Sequence, residues 1–72
     1  MITLRLHSAL YTEDAIAAAL EVYSPWADLE RGDEEPYVLV KIQATGDVSE
    51  ERLENELATY ALARTIEQKR SQ

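Results

Sequence analysis

Apolar and polar residues alternate at the start of the chain and then change to a helical period. The alternation in "ITLRL" predicts a half-buried first strand. In "YTEDAIAAALEVY" the apolar residues recur at positions i, i+3, i+4 and i+7, which is typical of one helix face. Thr12 is placed to cap this helix, and Pro25 predicts that it ends near Ser24.

The middle of the chain predicts two further strands. Residues 26–31, "WADLER", alternate weakly and indicate an edge strand, and "GDEEP" has the composition of a turn. "YVLVKIQA" shows the strongest alternation, with Val38, Val40 and Ile42 on one side. We therefore expect this strand to be the central or the best-buried strand of the sheet.

The last third of the chain predicts a long helix. Asp47 or Ser49 is placed to cap it, and nothing interrupts it before about Lys69. The predicted order is β-α-β-β-α, an α+β fold in which two helices cover one face of a three-stranded sheet. This arrangement is a ferredoxin-like unit lacking the last strand, which leaves a sheet edge open for pairing.

The predicted last helix is apolar on two sides. At about 100° per residue, a first stripe contains four residues, namely Leu53, Leu57, Tyr60 and Ala61. A second stripe on roughly the opposite side contains Ala58, Leu62 and Ile66, with Asn55 beside it. A helix that is apolar on two sides is normally covered on both. Either another chain covers the second stripe, or the first helix extends far enough round to cover it.

Size and composition narrow the classes of function. The chain has 72 residues, which we interpret as a single domain over residues 1–72, and a formal net charge of −7. This charge opposes binding to a nucleic-acid backbone, which needs clustered cations. No segment approaches the roughly 20 apolar residues of a membrane span, and there is no cysteine. We expect a cytoplasmic protein without disulfides.

Candidate catalytic and metal-binding groups are sparse. His7 is the only histidine, and Ser8 next to it would point to the opposite face of a strand, which is poor geometry for a nucleophile and its base. Glu56, Tyr60 and His7 are the remaining candidates for catalysis. No two of them are spaced in the sequence so that one would be expected to shift the pKa of the other. We therefore expect no catalytic residue, no metal ligand and no cofactor. Trp26, if exposed, is a common type of interface anchor.

The last helix also carries a family resemblance. "NELATYALAR" resembles the final helix of the His-Xaa-Ser system protein HxsD family, which is close to Asn-Glu-Leu-Leu-Asp/Asn-Tyr-x-Leu-Arg. The matching residues are Asn55, Glu56, Leu57, Tyr60 and Leu62. Ala58 and Thr59 differ from the pattern, and the arginine falls one place later, at Arg64. The resemblance covers most of the chain in the order of its elements.

The resemblance implies a small accessory protein that works beside radical SAM enzymes in modifying a ribosomally made peptide. Its implied partners are the radical SAM maturation enzyme or the precursor peptide, and any iron–sulfur chemistry would belong to the enzyme. The implied docking surface comprises Asn55, Glu56, Ala58, Leu62, Arg64 and Ile66. The alternative is a self-associating structural protein, a homodimer with no enzymatic role. A peptide that adds to the open sheet edge stays a further alternative.

Overall fold

The protein, described here by a computed structural model for residues 1–70, has two helices and one sheet. The elements in chain order are β1 (Ile2–His7), α1 (Glu13–Tyr23), β2 (Ala27–Glu34), β3 (Tyr37–Ala44) and α2 (Glu50–Arg70). A single 3₁₀ turn, Ser24–Trp26, joins α1 to β2. The predicted order β-α-β-β-α is confirmed. Within residues 1–70, no helix is both long enough and apolar enough to cross a membrane.

The sheet is antiparallel, with strand order β1-β3-β2. Leu4 of β1 and Arg31 of β2 both pair with Val40 of β3. The predictions that β3 is central and β2 lies at an edge are therefore confirmed. A ferredoxin-like unit without its last strand has this order, and β1 forms the other edge.

One boundary prediction is wrong. Gly32–Glu34 were expected to belong to a turn, but they continue β2 and pair with Tyr37–Leu39 of β3. The turn consists of Glu35 and Pro36 alone, and the peptide bond between them is cis. Charged residues suit this end of β2 because an edge strand exposes them to water, where they also discourage pairing with another chain.

Both helices cover the same face of the sheet. The buried side chains that form the core are Leu6, Ile16, Ala19, Ala27, Val38, Val40, Ile42, Leu53, Leu57 and Ala61. The alternation along β3 predicted its buried members. The opposite face carries Tyr37, Leu39 and Lys41, with Arg5 and His7 opposite Leu39 and Tyr37 on β1.

The helices run antiparallel. The start of α1 meets the second half of α2 through Thr65, whose Oγ1 accepts a 3.1 Å hydrogen bond from the backbone N–H of Thr12. Thr65 Oγ1 also donates to the carbonyl of Ala61 at 2.9 Å. At the other end, the ring of Tyr23 at the end of α1 lies 6.0 Å from that of Tyr60. Thr12 also caps α1, as predicted, by accepting from the N–H of Ala15.

An ion pair joins α1 to β2. Arg31 Nη2 donates to Glu13 Oε2 at 2.8 Å, and Asp33 lies 3.5 Å from the same nitrogen. The hydrogen bond from Arg31 lowers the pKa of the Glu13 carboxyl, and the hydrogen bond to Glu13 raises the pKa of Arg31.

We expect Thr65→Val to lower the free energy of unfolding by about 1–3 kcal/mol, because the N–H of Thr12 loses its acceptor in a part-buried position. Urea unfolding followed by circular dichroism measures the change. Thr59→Val is the matched control, since Thr59 is exposed on the same helix. Equal losses in the two variants would contradict this role for Thr65.

Arg31→Gln should lower stability at neutral pH and have less effect in acid. Because the folded pKa of Glu13 lies below its ordinary value of 4.5, the pair stabilises the fold above pH 4.5 and loses that contribution as the pH falls through the folded pKa. Urea unfolding of both proteins at neutral pH and well below pH 4.5 tests this. Arg64→Gln, another exposed arginine, is the control. A pH-independent difference for Arg31→Gln would rule out the ion pair as its cause.

Candidate functional site

The first stripe of α2 faces the sheet, as predicted. Leu53, Leu57 and Ala61 are buried in the core, and Tyr60 is half-buried at its margin. The buried row continues to Thr65, which the sequence pattern did not include. Thr65 is tolerated there because both hydrogen-bonding capacities of its hydroxyl are used.

The second stripe is exposed. Leu62 is 44% exposed and Ile66 is 48% exposed, while Ala58 is half-buried. α1 packs against the side of α2 that carries Tyr60, and it does not cover Leu62 or Ile66. The interpretation in which α1 covers this stripe is therefore wrong for its two large residues.

The second stripe lies towards the β1 edge of the sheet. α2 packs over β1 and β3 and beside α1. Its flank with Ala58 and Leu62 points away from α1, since the α1 side carries Glu56 and Tyr60. On that flank the sheet ends at β1, where Ile2 and Leu4 are only half-buried although they point to the core face. The exposed apolar side of α2 thus adjoins an open strand edge.

The six docking candidates do not form one surface. Asn55 is exposed, adjoins the second stripe by its helical position and also lines a cavity with Tyr23. Glu56 instead turns towards α1, where it lines cavities with Tyr23. Arg64 is exposed but lies off the second stripe by its helical position. Glu56 and Arg64 are thus separated from the second stripe by their helical positions, and their part in docking stays a prediction.

Charge changes sign along the second stripe. Glu51 lies in the first turn of α2 and Lys69 in its last turn. By helical position, both fall on the same side as Ala58 and Leu62. The stripe therefore runs from an acidic end through an apolar centre to a basic end.

Three aromatic side chains converge where the end of α1 meets α2, and we call this place the aromatic cleft. The ring centroid of Tyr23 lies 6.1 Å from that of Trp26 and 6.0 Å from that of Tyr60. Trp26 is 49% exposed. Two adjoining cavities, of about 240 Å³ and 440 Å³, share Tyr23 and Glu56 among their lining residues.

A carboxylate lies beside these rings. Glu56 Oε1 accepts a 3.1 Å hydrogen bond from Arg52 Nε, and both side chains reach solvent. Burial raises the pKa of the Tyr23 hydroxyl, and the negative charge of Glu56 and the neighbouring Tyr60 raise it further. The electrostatic field of Glu56 therefore extends into the cleft.

Sequence reasoning missed the aromatic cleft as a unit. It treated Tyr23 and Tyr60 as parts of separate helix faces and Trp26 as an isolated anchor. Their convergence depends on the crossing of α1 and α2, for which the sequence contains no direct signal. Tyr23 at the end of α1 and Tyr60 at the middle of α2 can be matched from the sequence only once the antiparallel arrangement of the helices is known.

The candidate catalytic side chains lie on opposite sides of the sheet. His7 lies on the uncovered face of the sheet, where its ring contacts that of Tyr37 edge to face at 5.2 Å. Glu56 and Tyr60 lie in the helix layer on the other side. Within the described part of the chain, no group of three or more His, Cys, Asp or Glu side chains is placed to hold a metal ion.

Comparison with known proteins identifies no relative of the chain that would indicate what these surfaces bind. No family model, no curated protein and no solved structure matches the chain at a significant level. The resemblance to the HxsD family therefore depends on the residues of α2 and on the order of the elements. The candidate surfaces are the second stripe and the aromatic cleft.

Proposed function

We propose that this chain is a non-catalytic binding module that docks onto a partner protein through the second stripe of α2. The exposure of Leu62 and Ile66 in the folded domain is the observation that carries this proposal. On the family resemblance, the partner is a radical SAM enzyme that modifies a ribosomally made peptide, or its precursor peptide. The chain would act there as an accessory protein.

The small size of the exposed stripe limits the binding free energy that it contributes. Complete burial of a Leu or Ile side chain stabilises by about 1.5–3 kcal/mol, so covering the exposed halves of Leu62 and Ile66 contributes about 2 kcal/mol together. Each 1.4 kcal/mol is a factor of ten in affinity. The stripe alone therefore gives a weak complex, and a stable one needs further contacts, for which the β1 edge and the aromatic cleft are the nearest surfaces.

The residue inventory supports an accessory role over a catalytic one. The 72 residues include no cysteine, so an iron–sulfur cluster would have its thiolate ligands on the partner. His7 is separated from Glu56 and Tyr60 by the sheet. General acid–base catalysis requires groups within hydrogen-bond reach of one substrate, which this separation opposes.

Leu62→Asp should abolish capture of the partner while the domain stays folded, because it places a charge at the centre of the apolar stripe. The measurement is affinity capture from the native cell, followed by identification of co-purifying proteins. Val22→Asp is the matched control, since Val22 is 40% exposed on α1, away from the stripe. Circular dichroism verifies that both variants fold.

Capture of a radical SAM enzyme or its precursor peptide by the wild type and Val22→Asp, but not by Leu62→Asp, is the expected result. Equal capture by all three proteins would refute docking through the second stripe. Recovery of the protein alone would favour self-association.

Self-association is the second candidate function, and the charge pattern of the second stripe favours it. Two copies of α2 packed antiparallel about a two-fold axis place Glu51 against the Lys69 of the other copy and Ala58 against its Leu62. The stripe is thus complementary to itself. The open edge of β1 lies beside the same flank and can pair with its own copy. The domain would then be a structural homodimer with no enzymatic role.

Charge reversal tests this dimer. Glu51→Lys should weaken it, because each lysine then faces Lys69 of the other copy, and the double variant Glu51→Lys/Lys69→Glu should restore it. Sedimentation equilibrium at micromolar concentrations gives the dissociation constants. A wild-type protein that stays monomeric, or a double variant no better than Glu51→Lys, would contradict the two-fold arrangement.

A further inference from the structure

We propose that the aromatic cleft binds a cationic side chain, Arg or Lys, presented by a peptide segment of the docking partner. This inference rests on the proposed function, because it names the chemistry that the partner brings to the surface. The cleft is formed by Tyr23, Trp26 and Tyr60, with Glu56 at its side.

The geometry of the rings fits a cation. The Tyr23 ring is tilted by 55° from that of Trp26, with which it lines the smaller cavity, and by 85° from that of Tyr60, with which it lines the larger one. A cation within about 6 Å of a ring centroid is attracted by the negative face of the ring, and Trp is the strongest partner. Trp26 is also the most exposed of the three rings, so an incoming side chain can reach it.

The cavity that Trp26 lines fits a side chain better than a whole small molecule. It measures about 240 Å³, below the roughly 300–1,000 Å³ of sites for drug-sized ligands, whereas the adjoining cavity beside Tyr60 measures about 440 Å³ and is more open. Val48 and Leu53 line the smaller cavity with the aromatic residues. Such walls suit the methylene chain of Arg or Lys, which packs on apolar surface while its charged end stays near a carboxylate and water.

The charge around the cleft favours a cation over an anion. Glu56 lines both cavities, while Arg52 lines only the smaller one and donates to Glu56 there. Arg52 already pairs with Glu56, but this pair is open to solvent, where an ion pair contributes little. A cation from a partner can therefore replace Arg52 on Glu56 at small cost. The net charge of −7 attracts a basic peptide over longer distances.

The cleft and the second stripe lie mainly on different sides of α2, and Asn55 lies between them, because it lines the larger cavity and adjoins the stripe by its helical position. Glu56 and Tyr60 lie on the flank that faces α1, whereas Ala58 and Leu62 lie on the flank that faces the β1 edge. A partner that covers the second stripe therefore reaches the cleft with a different segment. Each contact is testable without the other.

Trp26 provides a direct readout, because it is the only tryptophan of the chain. The probes are two capped tripeptides, acetyl-Gly-Arg-Gly-amide and the same peptide with neutral citrulline in place of arginine. Titration of the wild-type protein with the arginine peptide should change the Trp26 emission saturably. Citrulline has nearly the shape of arginine without its charge, so its peptide should bind several-fold more weakly.

Three variants locate the contact. Glu56→Gln should weaken binding of the arginine peptide by about two- to fivefold, as expected for the loss of one exposed ion pair. Glu54→Gln is the control, because it removes the same charge from another side of α2. Arg52→Gln should tighten binding, because it frees Glu56 from its competing partner. Circular dichroism confirms that each variant is folded.

Equal binding of the arginine and citrulline peptides would overturn the proposal, since the cleft would then not recognise charge. Equal weakening by Glu56→Gln and Glu54→Gln would also overturn it, because the effect would come from overall charge alone. Capture of the partner that depends on Leu62, with no change in Trp26 emission, would leave docking intact and refute only the cationic site. If the arginine peptide binds but capture of the partner does not depend on Leu62, the proposed function is refuted and the cationic site is retained.

Discussion

The structure depends on one constraint, which is that the two helices within residues 1–70 must together bury one face of the sheet. α2 meets this constraint with one of its sides, through Leu53, Leu57 and Ala61. Its other side has nothing to cover it among residues 1–70, so Leu62 and Ile66 stay in water. Small domains of this size bury a modest fraction of their surface, and an exposed apolar stripe on one is a candidate interface.

The antiparallel contact between the helices determines where each surface lies. Thr65 ties the start of α1 to the second half of α2 and satisfies a backbone donor there. The same arrangement brings Tyr23, at the end of α1, against Tyr60 and Glu56, and Trp26 of the following 3₁₀ turn lies beside Tyr23. The cleft is thus a consequence of how the helices cross. The second stripe is exposed because α1 packs on the Tyr60 side of α2 and does not cover Leu62 or Ile66.

The two surfaces differ in the kind of partner they favour. The second stripe is apolar at its centre and changes charge along its length, so it suits either a helix of another protein or its own copy. The aromatic cleft suits a single cationic side chain. In the proposed binding function, affinity would come from both surfaces, because each alone would contribute only a few kcal/mol.

The sequence by itself determined the order of the elements, the buried side of β3 and the buried side of α2, because the periods of 2 and 3.6 residues report which side chains share a face. It also indicated the second stripe. It did not determine that β2 continues through Gly32–Glu34, since pairing with β3 overrides local turn preference. Only the tertiary structure decided that Glu56 turns to α1 and joins three aromatic rings, because residues distant in sequence meet only where packed helices cross.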